Sequence, residues 1–140
     1  MKRSASAVWK GGLKDGTGRV STESGTLKDI AYNFRMRFEN EKGTNPEELI
    51  AAAHAACFSM ALSMILGDAG MKAESISTTA TVTLEQAGGG FAVTSSALET
   101  QVRIPNADKA AFQKAAEAAK SGCPISKLLN AKITLDAALI

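Results

Sequence analysis

Apolar and polar positions alternate along the first forty residues, and glycines interrupt the alternation. Ala5, Ala7 and Trp9 share one parity, and glycine-containing turns follow near residues 11, 16 and 25. Because successive side chains of a β-strand point to opposite faces, this pattern predicts short strands joined by hairpins.

The segment Tyr32–Phe38 shows the most regular alternation. Its aromatic residues and Met36 fall on one parity, whereas Arg35 and Arg37 fall on the other. This pattern predicts a strand with one face on the core and two arginines sharing the opposite face. Such arginines are by default exposed to solvent.

A helix with a clear start follows. Thr44 or Asn45 is the expected N-cap, Pro46 suits the first helical position, and Glu47 and Glu48 complement the helix dipole. The helix is expected to end near residues 67–70. Almost every residue between these points is apolar, so the helix should be surrounded by protein on most sides. A chain of 140 residues rarely buries such a helix completely, whereas a dimer does so easily.

The second half of the chain predicts a hairpin, two helical segments and a last strand. β-branched residues between positions 75 and 104 flank a turn at Gly88–Gly90, and a third strand is expected to extend this hairpin. Residues 108–120 predict an amphipathic helix ended by Gly122, residues 124–129 a helical turn, and residues 132–139 a strand. This order indicates the α+β class with a mainly antiparallel sheet, in one domain over residues 1–140.

Composition and charge indicate which kinds of molecule the chain is expected to bind. The chain is 45% hydrophobic and 21% charged, and its net charge of +2 is not gathered in blocks, so nucleic acid is not expected as a partner.

The N-terminal residues form no apolar signal-peptide core, and the apolar stretch over residues 49–66 includes His54 and two serines. Neither export nor a membrane is therefore expected. The predicted location is the cytoplasm, where a permanent disulfide between the only two cysteines would be unexpected.

Cys123 is one candidate for redox chemistry. It precedes Pro124, a suitable first helical residue, so it should occupy an N-cap position. Free backbone N–H groups at that position lower the pKa of a thiol, and Lys120 and Lys127 add positive charge nearby.

Cys57 is the other candidate, and it lies in the middle of the apolar helix. Apolar surroundings raise the pKa of a thiol, so Cys57 needs a cationic partner to react. Arg37 or Arg35 is available as that cation, with Glu47 or Glu48 holding the guanidinium in a bidentate pair. On the local pattern alone, an inert core cysteine is the more common interpretation.

His54 lies three residues before Cys57 and on the same helix face. The simplest interpretation is a partly buried hydrogen-bonding residue. A metal is not expected, because no further histidine or acidic residue stands at ligand spacing, and no glycine cluster has the fingerprint of a nucleotide site. A cysteine hydrolase that uses Cys57 and His54 is an alternative, but it lacks a third residue to orient the histidine and has no need of Cys123.

Three stretches of the chain resemble the OsmC/Ohr family. They are residues 20–25 (VSTESG), residues 38–63 with NPEELIAAAHAACFSM at their centre, and residues 122–129 (GCPISKLL). The resemblance spans almost the whole chain in the right order, and this combination of motifs is specific. His54 stands where the organic hydroperoxide resistance branch commonly has Tyr, so the chain is most similar to the osmotically inducible OsmC branch.

The resemblance implies an OsmC-like fold in an intertwined homodimer with active sites at the interface. It further implies a peroxidase without metal or bound cofactor that reduces organic hydroperoxides, and hydrogen peroxide less well, in oxidative or osmotic stress. Cys57 would become a sulfenic acid, Cys123 would form a disulfide with it, and an external dithiol, a lipoylated protein, would reduce that disulfide. Arg37, positioned by Glu47, would stabilise the thiolate and polarise the peroxide.

Three alternatives stay open. Arg37 matches the arginine of the OsmC branch, whereas Arg19 stands near the arginine of the other branch. Glu47 and Cys57 are about 15 Å apart on a continuous helix, so either the helix breaks or two subunits contribute across an interface. A redox sensor or ligand-binding protein of the same fold, in which the cysteine pair switches without turnover, is the alternative function.

Overall fold

The computed structural model describes all 140 residues, which divide into two compact units, Met1–Leu49 and Ile50–Ile140. The assignment of residues 1–140 to one domain stays a prediction. The first unit contains a three-stranded antiparallel sheet of β1 (Ala5–Lys10), β2 (Thr17–Thr22) and β3 (Ile30–Tyr32), in that order. The predicted hairpins of the first forty residues are confirmed.

Residues 34–38 form a short helix, α1 (Phe34–Phe38), and the prediction of a strand over Tyr32–Phe38 is wrong. Asn33 caps this helix, because its side-chain oxygen accepts a hydrogen bond from the Met36 N–H at 2.8 Å. The two phenylalanines that suggested strand alternation are i and i+4 neighbours, with ring centroids 4.8 Å apart. A segment of five residues is too short for its period to distinguish the two structures.

The long helix α2 (Pro46–Asp68) begins where the sequence predicts and runs without a break. Asn45 is its N-cap residue, because its side-chain oxygen accepts a hydrogen bond from the Glu48 N–H at 2.9 Å. The predicted end near residues 67–70 is confirmed as well. The alternative that the helix breaks between Glu47 and Cys57 is wrong.

Only one stripe of α2 is buried within the single chain. The buried residues recur every four positions and are His54, Phe58, Leu62 and Leu66. Met60 and Met64, on other faces, remain 75% and 63% exposed. One chain therefore covers a single stripe of this helix, in agreement with the expectation that a chain of this length rarely buries it completely. Protein on most sides of α2 stays a prediction for a dimer.

By length and composition alone, α2 is long and apolar enough to cross a membrane. A core helix of a water-soluble protein passes the same test. The buried stripe of α2 includes a hydrogen-bonded histidine and joins the apolar core of the second unit, as in such a core helix.

The second unit contains a sheet in the order β4–β5–β6. The antiparallel pair β4 (Ser75–Ala87) and β5 (Gly90–Arg103) is the predicted hairpin, and Gly88 and Gly89 in its turn have φ angles of 62° and 83°. The last strand, β6 (Lys132–Leu139), is the expected third strand and pairs parallel with β5. Three of the four strand pairings in the chain are antiparallel, in agreement with the predicted α+β class.

Two helices lie between β5 and β6. Asp108 caps α3 (Lys109–Gly122), and α4 (Pro124–Leu128) begins two residues after α3 ends, both within two residues of the predicted bounds. The apolar face of α3 packs into a core shared with α2 and β5. The largest apolar members of this core are Phe58, Leu62, Leu66, Leu98, Val102 and Phe112.

Candidate active site

The second unit brings the two cysteines together. Cys57 lies in the middle of α2, Cys123 lies between α3 and α4, and their Sγ atoms are 2.7 Å apart. Both thiols are free. This proximity joins residues that are 66 positions apart in the sequence, and it allows a disulfide to form with little movement of the backbone.

Cys123 is completely buried and occupies the predicted N-cap position of α4. Burial by itself raises the pKa of its thiol, but neighbouring polar groups outweigh that effect and the pKa is lowered. The groups that lower it are the Cys57 thiol, whose sulfur is the hydrogen-bond partner of Cys123, and Ser126 and Ile125 at the start of α4. The neighbouring Lys120 instead pairs with Glu117 at 3.1 Å.

Cys57 is only half-buried and borders an open, mainly apolar groove. The groove residues are Ala56, Met60, Ala61, Met64, Ile65, Gly122 and Pro124. Burial and the hydrogen bond with Cys123 raise the pKa of the Cys57 thiol. Cys57 is therefore the accessible cysteine of the pair, and its raised pKa disfavours the reactive thiolate.

His54 does not serve Cys57 as a base. It is fully buried, and its Nδ1 and Nε2 atoms lie 2.7 and 2.8 Å from the hydroxyl oxygens of Ser96 and Ser126. Burial lowers its pKa, so the imidazole is neutral. The expected hydrogen-bonding role is confirmed, whereas a hydrolase that pairs His54 with Cys57 has no support in this geometry.

Sequence reasoning missed both serines. Ser126 stands three residues after Cys123, where an N-cap spacing brings residues together, so its position was a usable signal. Ser96 lies on β5, 42 residues from His54, and no local pattern could indicate it.

Arg37 and Glu47 form a bidentate pair in the first unit. Arg37 Nη2 donates to Glu47 Oε1 at 2.8 Å, and Arg37 Nε donates to Glu47 Oε2 at 3.1 Å. The two-point contact fixes the plane of the guanidinium, which also lies 5.3 Å from the ring centroid of Phe38. Of the two acidic residues considered, the pair uses Glu47, which is in the first turn of α2.

The other two arginines have different contacts. Arg35 lies near Glu39 and Glu41 at 3.7 and 3.4 Å, with most of its side chain exposed. Arg19 is exposed and donates to the backbone oxygen of Asp29 at 3.0 Å. Arg37 is thus the arginine with a two-point contact to a carboxylate, and it lies in a different unit from the cysteines. Its catalytic role stays a prediction.

No three His, Cys, Asp or Glu side chains are grouped so that they could hold a metal ion. The groups that influence the two thiols are the thiols themselves, Ser126 and the backbone N–H of Ile125. This set suits thiol–disulfide chemistry, because such groups stabilise a thiolate.

Comparisons with a family model and with individual known proteins agree on one family. A family model described as OsmC-like protein matches residues 38–138. Peroxiredoxin OsmC of Escherichia coli (strain K12) is 54% identical over 136 residues, which are 97% of this chain and 95% of that protein. The organic hydroperoxide resistance protein of Xanthomonas axonopodis pv. citri (strain 306) is 33% identical over 98 residues, 69% of this chain and 67% of that protein.

The solved structures confirm the expected OsmC-like fold. The organic hydroperoxide resistance protein OhrB of Bacillus subtilis superposes with a TM-score of 0.69 at 26% identity, covering 98% of both chains. An OsmC-like protein of Mycoplasma pneumoniae has a TM-score of 0.77 at 16% identity, which shows the fold alone. On the family model and the extent of these matches, the chain belongs to the OsmC-like family.

Proposed function

We propose that this protein reduces organic hydroperoxides, and hydrogen peroxide less readily, by means of a sulfenic acid at Cys57 and a Cys57–Cys123 disulfide. Membership of the family makes it a thiol-dependent peroxidase, the class of relatives named peroxiredoxin OsmC and organic hydroperoxide resistance protein. The observation that carries the mechanism is the 2.7 Å separation of an accessible sulfur and a buried one.

Access decides which cysteine meets the peroxide. Cys123 has no exposed surface, whereas Cys57 borders the open groove, so the Cys57 sulfur is the one that a substrate reaches. The groove is mainly apolar, and the exposed side chains of Met60 and Met64 line it. An apolar lining favours a peroxide with an organic group, because binding removes apolar surface of that group from water.

The two sulfurs and an external dithiol account for all atoms and electrons of the proposed cycle. The Cys57 thiolate attacks the terminal peroxide oxygen, the O–O bond breaks, and the alcohol leaves with one proton. Cys123 then attacks the sulfur of the sulfenic acid, which releases water and forms the disulfide. A dithiol, which we propose to be carried by a lipoylated protein, supplies the two electrons that restore both thiols.

Arg37 and Glu47 supply the activation that Cys57 lacks. Because the pKa of Cys57 is raised, its thiolate needs a nearby positive charge to form near neutral pH. The guanidinium of Arg37, oriented by Glu47, is suited to stabilise that thiolate and to polarise the peroxide. We propose that the pair acts on a cysteine of a second copy in a homodimer. The exposed apolar face of α2 supports such a dimer. We also propose a cytoplasmic location, where both cysteines would stay reduced between turnovers.

Turnover measured with cysteine variants tests the cycle. Wild type is expected to consume cumene hydroperoxide over many turnovers with dihydrolipoamide as the reductant, and Cys57→Ser is expected to abolish consumption. Mass spectrometry should find an intramolecular disulfide in oxidised wild type and an overoxidised Cys57 in Cys123→Ser. Consumption that stops after one equivalent would instead indicate a redox sensor, and a Cys123→Ser variant with full turnover would contradict the two-cysteine mechanism.

The role of Arg37 is tested by comparison with its neighbour. Arg37→Lys keeps the charge but loses the bidentate contact with Glu47, so the rate of Cys57 oxidation by peroxide should fall at least about tenfold. Arg35→Lys is the matched control on the same short helix, and it should leave that rate within about twofold. Equal losses in both variants, measured by single-turnover oxidation, would assign Arg37 a structural role, and a loss in Arg19→Lys would transfer the role to Arg19.

A further inference from the structure

The short helix α4 is anchored by a polar side chain and not by apolar ones. Ser126 is its only buried residue, whereas Leu128 remains 75% exposed. The apolar side chains that form or contact the core of the second unit include none from α4. The position of α4 therefore depends mainly on its covalent connection to α3 and on the contact that Ser126 makes.

That contact is a hydrogen bond with a buried histidine. His54 Nε2 lies 2.8 Å from the Ser126 hydroxyl oxygen, and His54 Nδ1 lies 2.7 Å from the hydroxyl oxygen of Ser96 on β5. A neutral imidazole has one N–H donor and one acceptor nitrogen, so in either tautomer one serine accepts and the other donates. All three side chains are buried, and a buried polar group without a partner destabilises the fold. The arrangement therefore resists separation of α2, β5 and α4.

The same two helices position the cysteines. Cys57 follows His54 by three residues on α2. Cys123 precedes Ser126 by three residues and is the N-cap residue of α4. The hydrogen bond and the contact between the two Sγ atoms, at 2.8 and 2.7 Å, thus join the same two elements about one helical turn apart. A contact that holds Ser126 also limits how far the Cys123 sulfur can move away from Cys57.

The distance between the sulfurs matters at one step of the proposed cycle. Once Cys57 is a sulfenic acid, attack by the Cys123 sulfur forms the S–S bond and releases water. A second peroxide molecule competes for the same sulfenic acid: its O–O bond breaks, one oxygen passes to the sulfur, and the products are a sulfinic acid and an alcohol. A dithiol does not reduce a sulfinic acid, so the faster of the two attacks determines whether the thiol is recovered.

We propose that His54 is a positioning residue for disulfide formation: by holding Ser126 it keeps α4, and thus Cys123, within reach of the oxidised sulfur. This inference rests on the proposed peroxidase cycle and assigns His54 to its resolving step. A hydrogen bond suits this role better than an apolar contact, because it fixes both a distance and a direction. Ser96 holds the other side of the ring and connects the arrangement to β5.

Two amide substitutions of His54 separate its two contacts. The terminal atoms of Gln reach the position of Nε2, next to Ser126, whereas those of Asn reach only the position of Nδ1, next to Ser96. His54→Asn should lower the cumene hydroperoxide concentration that overoxidises half of Cys57 about fivefold, the factor expected for one lost hydrogen bond, and His54→Gln should keep it within about twofold. Each variant loses one buried hydrogen bond, so equal sensitivity of the two would overturn the proposal.

Ser126→Ala removes the other partner of the contact and should resemble His54→Asn. The matched control is Ser59→Ala, which removes a hydroxyl of α2 that donates to Thr78 at 2.8 Å and so joins α2 to β4, not to α4. This control should lose comparable stability without added overoxidation. Mass spectrometry of Cys57 after pulses of increasing peroxide concentration makes the comparison. A Ser126→Ala variant no more sensitive than Ser59→Ala would contradict the proposal.

The rate of the first oxidation separates a positioning role from general disruption. Formation of the sulfenic acid precedes the step assigned to His54, so its rate should not change in His54→Asn or Ser126→Ala. A parallel loss of that rate would indicate a merely structural role and reject the proposal. Disulfide formation in oxidised wild type with normal sensitivity of both variants would reject the positioning role alone, whereas absence of the disulfide from oxidised wild type would reject the cycle itself.

Discussion

His54 shows how burial sets the chemistry of a single residue. Its ring lies between two serine hydroxyls without exposed surface, and burial lowers its pKa below the ordinary value. The same burial separates the roles of the two cysteines, because Cys123 has a lowered pKa but no access, whereas Cys57 has access but a raised pKa. At this scale reactivity depends on which desolvated group has hydrogen-bond partners.

The buried His54 predicts a loss of stability in mild acid. In the unfolded chain histidine titrates near pH 6.5, whereas the folded protein holds His54 neutral to lower pH. Below about pH 6.5 the unfolded state therefore binds more protons, and the free energy of unfolding should fall by up to about 1.4 kcal/mol per pH unit. Above that pH His54 contributes no dependence.

Urea unfolding of the reduced protein at a series of pH values from about 7.5 to 5.5 measures this dependence. No other histidine contributes to the window, since the chain has one. His54→Asn should flatten the curve. A wild-type stability that does not change over the same interval would mean that His54 titrates normally in the fold.

At the scale of elements, Arg37, Glu47 and Cys123 all lie within about one turn of a helix start. Asn33 starts the five-residue α1 that carries Arg37, Asn45 starts α2 next to Glu47, and Cys123 is itself the N-cap residue of α4. A helix of one turn has few internal hydrogen bonds, so its cap contributes a large share of its stability. The position of the Arg37–Glu47 pair therefore depends on two asparagine side chains.

Removing the cap of α1 and, as a control, the cap of α3 is expected to distinguish a loss of stability from a loss of activity. Asn33→Ala removes the hydrogen bond to the Met36 N–H and should lower the free energy of unfolding by about 1 kcal/mol. It should also lower the peroxidase rate, because α1 positions Arg37. Asp108→Ala is the matched control: it removes the cap of α3 at a similar cost in stability, without a contact to Arg37 or the cysteines. Chemical denaturation and turnover of both variants make the comparison, and unchanged activity in Asn33→Ala would show that α1 holds Arg37 without its cap.

At the scale of the whole molecule, the unpaired surface of α2 is the main feature. The helix is apolar on all sides, yet a single chain covers only the stripe from His54 to Leu66. Met60 and Met64 remain exposed beside Cys57. A second copy that covers this face would remove apolar surface from water and exclude water from the sulfurs, and both effects favour the proposed dimer.

A charge on this face should therefore dissociate the dimer. Met64→Glu places a carboxylate where an apolar contact is expected, so sedimentation should give the mass of a dimer for wild type and of a monomer for the variant. Peroxidase activity should fall with it, because Arg37 is proposed to act across the interface. Ile140→Glu, at an equally exposed apolar position at the chain end, should stay dimeric. A dimeric Met64→Glu would place the interface elsewhere.

Local patterns were sufficient for much of the fold. The glycine turn of the long hairpin, the start of α2 at Pro46 and the helix after Cys123 all follow from residue types within a few positions of each other. The segment Tyr32–Phe38 was predicted wrongly, because alternation over so few residues also suits a helix with i and i+4 aromatic neighbours.

By itself, the sequence determined the fold class, the two cysteines and their family motifs, since short-range patterns and residue identity carry that information. Residue patterns left open whether the two sulfurs meet and whether Glu47 or Glu48 holds Arg37, although the family resemblance implies both contacts, and they gave no sign that Ser96 and Ser126 hold His54; tertiary structure decided all three. The reason is physical: these contacts join residues distant in the chain, and packing of the core, not local propensity, brings such residues within hydrogen-bond distance.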